Sequence, residues 1–261
     1  MRIHHMSCGT LHPKLMGGRH MICHCLLVET PASGLVLVDT GFGTEDLRDP
    51  VKRLGKAFAS VTNPERDVAH AARSRVEALG FKAEDVRHIV LTHMDLDHTG
   101  GLVDFPHATV HLHASEYAVA MARPDFASKN RYVPAMWAHD PKFEVYADTG
   151  SPWFGFEAVR DLRGLPPEIL LVPLHGHSRG HSGVAVRGDD GWLLHAGDAY
   201  FDHGEVHARV RECPIPLRIF QTLVEVDRKA RLTNQDRLRE LVHNEASVTV
   251  ISAHDPSELP R

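Results

Sequence analysis

Apolar residues in this chain gather in short unbroken runs rather than in long amphipathic stretches. Residues 22–29 and 35–39 are two such runs, parted by Pro31 and Gly34, and they predict a strand pair joined by a hairpin. Residues 88–92, 169–174, 183–187, 192–196 and 248–252 repeat the pattern and predict further strands, with 88–92 buried. Residues 108–113 alternate instead, as a half-buried strand does. A helix is predicted over 64–79. Asn63 can cap it, Pro64 suits its first position, Val68, Ala71, Ala72, Val76 and Leu79 share one face, and Gly80 can end it. Residues 237–243 read as the end of a later helix.

Residues 115–165 break the rhythm. Pro124, Pro134, Pro141 and Pro152 punctuate a segment dense in aromatics from Tyr117 to Phe156. Short helices and loops fit it better than regular sheet, and a pocket wall or lid is its expected role, with plain hydrophobic packing as the alternative. The order of elements predicts an α/β fold, a mixed sandwich in one domain over 1–261 with an aromatic-rich insertion around 115–165. Every polar cluster falls just past an apolar strand.

Composition narrows the function classes. The chain has 261 residues, 43% hydrophobic and 24% charged, with a net charge of −5 and no basic stripe, so nucleic-acid binding lacks an electrostatic footprint. No apolar run is long enough for a membrane span, and Met1-Arg2-Ile3-His4-His5 does not open a signal peptide, so a cytoplasmic protein is expected. The cysteines Cys8, Cys23, Cys25 and Cys213 form no CxxC pair and read as free thiols. Histidine is the anomaly, at 21 residues. Imidazole is the commonest protein ligand for zinc-like ions, so part of that excess points to metal.

The segment from Thr92 to Gly101 carries that chemistry. His93, Asp95, Asp97 and His98 lie within six residues at the end of a predicted strand. Carboxylates this crowded repel each other, and a divalent cation removes the penalty. His177, Asp198 and His254 each follow a later strand, with His181 as a competitor to His177.

This ordered set, preceded by Asp39 in Val38-Asp39-Thr40-Gly41, resembles the metallo-β-lactamase-fold hydrolase superfamily from about Leu35 to Asp255. The opening, with Ser7-Cys8-Gly9-Thr10 and the run from His24 to Thr30, is similar to the N-acyl-homoserine lactonase branch. The resemblance implies an αββα sandwich of two mixed sheets flanked by helices. It also implies two divalent metal ions, zinc foremost. By position, His93, Asp95 and His177 would hold the first ion and Asp97, His98 and His254 the second, with Asp198 bridging. Asp39 would orient a ligand, and His181 would support the site.

The superfamily usually has His-x-His-x-Asp-His, and Asp95 stands where its middle His would be. That adds one negative charge and a harder ligand, which predicts a shift toward Fe²⁺ or Mn²⁺. The simplest reaction for the set is attack of a metal-bridging hydroxide on a lactone or ester carbonyl. Asp97 is expected to relay a proton and Tyr200 to donate to the oxyanion, while His203 and His207 read as exposed or supporting. The expected partner is a partly apolar small molecule such as an acyl-homoserine lactone, and homodimerisation stays open. A phosphoester substrate and an iron-dependent sulfur or oxygen oxidoreductase are the rival readings.

Overall fold

Leu26 and Val28 pack on one side of their strand, Cys25 and Leu27 on the other, and all four are buried. The computed structural model, which describes residues 1–158 and 162–260, shows both surfaces being covered. The first sheet lines up β1 (Arg2–Leu11), β2 (Met21–Glu29), β3 (Leu35–Val38), β4 (Val86–Val90), β5 (Thr109–His113) and β6 (Lys142–Tyr146). β1 to β3 pair antiparallel and β3 to β6 parallel. A small hairpin follows, β7 (Ser151–Trp153) with β8 (Phe156–Ala158). The second sheet contains β9 (Ile169–Pro173), β10 (Ser182–Gly188), β11 (Gly191–His195) and β12 (Val248–Ile251), in the spatial order β12-β11-β10-β9. Within it β11 and β12 run parallel.

The two sheets face each other through Leu26, Val28 and Val38 on one side and Leu171, Val184 and Val186 on the other. Behind the first sheet, Leu37, Ile89 and Leu91 pack with Ala72 and Val76 of the helix Ala72–Ala78. Behind the second, Leu170, Val172 and Leu194 pack under Leu238 and Leu241 of the helix Arg228–Asn244. The result is the expected αββα sandwich. Central strands covered on both faces are mostly apolar, which is why they read as near-continuous runs. Each such side chain contributes about 1.5–3 kcal/mol by burial.

Three expectations need correction. The predicted 64–79 helix is only Ala72–Ala78, because Asn63 closes the preceding helix Lys56–Thr62 in a left-handed conformation (φ 46°) and Pro64 bridges to Leu11. Residues 44–62, unassigned by pattern, form three short helices. The segment 115–165 carries the expected short helices, Ala114–Ala122 and Phe126–Arg131, but it also supplies regular sheet, with β6 extending the main sheet beside β5. Residues 159–161 of that segment lie outside the described residues. Among the described residues no helix is long and apolar enough to cross a membrane.

Part of the histidine excess lies away from the 93–98 cluster, in or beside these sheets. His5 Nδ1 and His24 Nε2 share a hydrogen bond at 2.9 Å, as do His88 Nδ1 and His111 Nε2 at 2.9 Å. His113 and His175 each pair with Asp148 at 2.9 Å.

Candidate metal centre

Five chain segments converge just past the C-terminal ends of the parallel pairs β3/β4 and β11/β12, and past β9. β3 leads to Asp39, β4 to the 93–98 cluster, β9 to His177, β11 to Asp198 and β12 to His254. Strand ends that point the same way bring side chains distant in sequence to one edge. After β4 the chain turns at Asp95 into a one-turn helix, Leu96–Thr99, which carries Asp97 and His98.

The predicted ligands come together in two groups. His93, His177 and Asp198 can place ligand atoms within 4.8 Å of one another, and so can Asp97, His98 and His254. Asp198 stands between the groups. Its Oδ2 lies 3.3 Å from His177 Nε2 and 3.7 Å from His93 Nε2. Its Oδ1 lies 3.3 Å from His98 Nε2, and His254 Nε2 lies 3.2 Å from both oxygens. Asp95 Oδ2 joins the first group, 3.1 Å from His177 Nε2 and 3.3 Å from His93 Nε2.

Outer hydrogen bonds decide which ring nitrogen faces inward. Asp39 Oδ2 accepts from Thr92 Oγ1 at 2.7 Å, and His98 Nδ1 donates to the same oxygen at 2.8 Å. With its hydrogen given to Asp39, Thr92 Oγ1 accepts from His93 Nδ1 at 3.0 Å. His254 Nδ1 donates to the Ile22 carbonyl at 2.8 Å. Each of these three rings therefore turns the lone pair of Nε2 toward the cluster. His181 differs: Nδ1 donates to the Leu174 carbonyl and Nε2 accepts the Asp198 N–H at 2.9 Å. Both its nitrogens are committed, so it holds Asp198 in place, and His177 is the candidate ligand of the two.

The donor set fits metal ions. His93 Nε2, His98 Nε2 and Asp198 Oδ1 are buried without a hydrogen-bond partner. A buried polar atom left that way costs about 1–3 kcal/mol. A lone pair on His98 Nε2 and a carboxylate oxygen 3.3 Å away also repel unless a proton or a cation stands between them. Burial opposes ionisation of Asp198, but His254, His98, His177 and His93 outweigh it and hold the carboxyl well below the usual carboxylate range. Burial likewise opposes charge on His98, and Asp198 and Asp39 outweigh it and raise that ring well above its ordinary value. His254 is raised by Asp198 against the same burial. Burial, then the charge of Arg131, pushes His177 down to about 4. A divalent cation replaces the protons such a cluster would otherwise carry.

With this geometry in place, comparison with known proteins becomes informative. A model of the Metallo-beta-lactamase superfamily matches residues 18–254. The chain belongs to the metallo-β-lactamase superfamily. It is a metal-dependent hydrolase of that family, and the family's divalent ions match the donor set described above. A Mycobacterium tuberculosis protein named a probable metallo-hydrolase is 41% identical over 257 residues, covering 98% of this chain and 81% of its own length. N-acyl homoserine lactonase AttM of Agrobacterium fabrum is 27% identical over 207 residues, covering 72% of this chain and 71% of its own. A solved N-acyl homoserine lactone hydrolase, with N-hexanoyl-L-homoserine at its catalytic metal centre, superimposes with a TM-score of 0.73 at 19% identity. That match covers 98% of this chain and 94% of the other, and it shows the shared fold. These relatives support the lactonase branch anticipated from the opening residues.

Tyr200 is not where its expected role requires. Its ring is fully buried and its hydroxyl donates to Glu258 Oε1 at 2.9 Å, so its proton is taken up inside the protein. Glu258 also accepts from Ser252 N–H and its hydroxyl, just before His254. The pair thus braces the loop that carries His254. The neighbour Phe201 is the aromatic beside the cluster, with its ring centroid 4.8 Å from that of His254 and 5.9 Å from that of His177.

Three further residues escaped sequence reasoning. Arg131 grips Asp95 with two hydrogen bonds, Nε to Oδ1 at 2.6 Å and Nη2 to Oδ2 at 2.7 Å. Glu116, fully buried, accepts from Met94 N–H and Tyr132 O–H through Oε1, and from Ser178 O–H and Gly180 N–H through Oε2. It ties the loop between His93 and Asp95 to the loop after His177. Phe201 had a weak signal, its place three residues past Asp198. Arg131 and Glu116 had none, because nothing local in the sequence marks a partner that only folding brings near.

Proposed function

We propose that this chain is a dinuclear hydrolase that opens a lactone or ester, with acyl-homoserine-lactone-like substrates favoured. The observation that carries the reading is Asp198, whose two oxygens face two separate groups of inward-turned ligands. One ion would lie among His93, Asp95, His177 and Asp198, the other among Asp97, His98, His254 and Asp198. Zinc suits the imidazole-rich set, and iron or manganese suits the added carboxylate. When bound, such a pair polarises a carbonyl oxygen and makes a water nucleophilic near neutral pH.

The chain's own residues do the rest. Asp97 lies at the edge of the cluster, more open than Asp198, with Oδ2 3.7 Å from His254 Nε2. From there it can take a proton from the attacking water and pass it to the leaving alkoxide. Asp198, His181 and Asp39 keep the ligand cage from reorganising during the reaction. An apolar cluster borders the cage: Leu96 sits between Asp95 and Asp97 and packs in one group with Met16, Met21, Phe42, Met136 and Phe201. That group is buried core and holds the loop between Asp95 and Asp97 in place; support for a substrate with an acyl tail comes from the N-acyl homoserine lactonases among the relatives.

The test pairs metal analysis with a hydrolysis screen. Two metal ions per chain and turnover of acyl-homoserine lactones, lost on chelation, are the expected result. Phosphoester turnover without any lactonase activity would overturn the substrate assignment, and a single ion at full activity would overturn the dinuclear one.

A further inference from the structure

Asp95 is the departure in the ligand pattern, and Arg131 is its immediate neighbour in space. The guanidinium meets both carboxylate oxygens, at 2.6 and 2.7 Å. It cannot drift, because Nη1 also donates to the carbonyls of His177 at 3.0 Å and Val224 at 2.9 Å. Its anchor therefore includes the backbone of a metal ligand. The side chain is 15% exposed and holds a full positive charge, since arginine does not deprotonate in proteins.

Two consequences follow for the first metal position. Each carboxylate oxygen has two lone-pair sites. On Asp95 Oδ2 one is taken by Nη2, and the other is left toward His93 and His177. Oδ1 gives one lone pair to Nε, and its other does not face His93 or His177, so Asp95 offers that position one lone pair and not a chelating pair. A neutral histidine ring at this place would also offer one lone pair. The second consequence is charge: an aspartate adds a negative charge relative to a histidine, and Arg131 returns a positive one at hydrogen-bond distance.

We propose that Asp95 and Arg131 act together as a substitute for a neutral single-point ligand at the first metal position, with Arg131 as the positioning residue. The proposal rests on the dinuclear reading above. It reverses the expectation that Asp95 alone drives the site toward iron or manganese, because the harder ligand never acts without its cation.

The experiment measures metal stoichiometry by mass spectrometry, and zinc and manganese affinities by chelator competition, on the full chain. Wild type should hold two ions. Asp95→His strands the Arg131 charge beside a cationic site, and zinc affinity at one position should fall about 10–100-fold, the size of effect an outer partner has on a metal ligand. Asp95→His with Arg131→Met should recover that affinity to within about tenfold, a rescue that a merely structural role for Arg131 does not predict. Arg131→Met alone should shift selectivity from zinc toward manganese, and Arg131→Lys should fall between it and wild type. Unchanged zinc affinity in Asp95→His, or a double variant no better than that single one, would overturn the proposal. If variants at Arg131 do not fold, Asp95→His alone decides between loss and retention of one ion. A wild-type chain that never holds two ions would instead overturn the dinuclear reading beneath it.

Discussion

His98 donates Nδ1–H to Asp39 at 2.8 Å across 59 positions of sequence, and this bond aims His98 Nε2 at Asp198. Asp39 adopts a left-handed backbone (φ 55°) and also accepts the Thr92 N–H at 2.8 Å, so one carboxylate sets the orientation of the strand end and the ring together. Asp39→Asn offers the ring an amide in place of an anion. We expect metal affinity to fall about 10–100-fold, read by chelator competition, with the fold retained. Unaltered affinity would mean that Asp39 serves the backbone alone.

Glu116→Ala removes the shared acceptor of four buried donors, in Met94, Tyr132, Ser178 and Gly180. Stability should drop by about 3 kcal/mol or more, measured by urea denaturation, because each stranded donor has a desolvation cost. Glu116→Gln, which keeps acceptor capacity on one side, should lose less. Equal losses in the two variants would show that packing, and not hydrogen bonding, holds the loops together.

Tyr200→Phe tests the role assigned to the buried hydroxyl. With that hydroxyl committed to Glu258, the variant should keep lactone kcat within a few-fold and lose about 1–2 kcal/mol of stability. A hundredfold fall in kcat with stability intact would return Tyr200 to the oxyanion.

Acid should destabilise the metal-free protein before its carboxylates titrate. Burial, then His195 and His5, pushes His24 down to about 3, and burial, then His88, pushes His111 down to about 3. In the unfolded chain both titrate near about 6.5. Between those values the unfolded state binds more protons, so this stability is present above pH about 6.5 and is lost as pH falls toward 3. His98 and His254, raised in the folded state, are protonated in both states below pH about 6.5 and add no slope there. With chelator present, the unfolding free energy from urea denaturation should fall steadily from pH 6.5 to 4.5, by at most about 1.4 kcal/mol per unit for each group. His111→Asn should flatten that slope, and a level profile in the parent protein would contradict the account.

The sequence by itself determined the layered fold and the candidate ligands that the structure brings together. Strands such as 22–29 and 169–174 were legible because a strand covered on both faces is mostly apolar, a demand written residue by residue. His93, Asp95, Asp97 and His98 were legible because their spacing is local, and His177, Asp198 and His254 because each follows its own strand. Patterns misled where a local signal had two meanings. Asn63 and Pro64 can open a helix, but here they close one and join β1, which also lacks an unbroken apolar run. Only the tertiary structure decided that Arg131 meets Asp95, that Glu116 ties the loop after His93 to the loop after His177, and that the Tyr200 hydroxyl donates to Glu258. Ligand type and strand burial are set by each residue's own neighbourhood in the chain. The direction of a hydroxyl and the partner of a charge depend on which distant elements pack together, and no spacing along the chain records that.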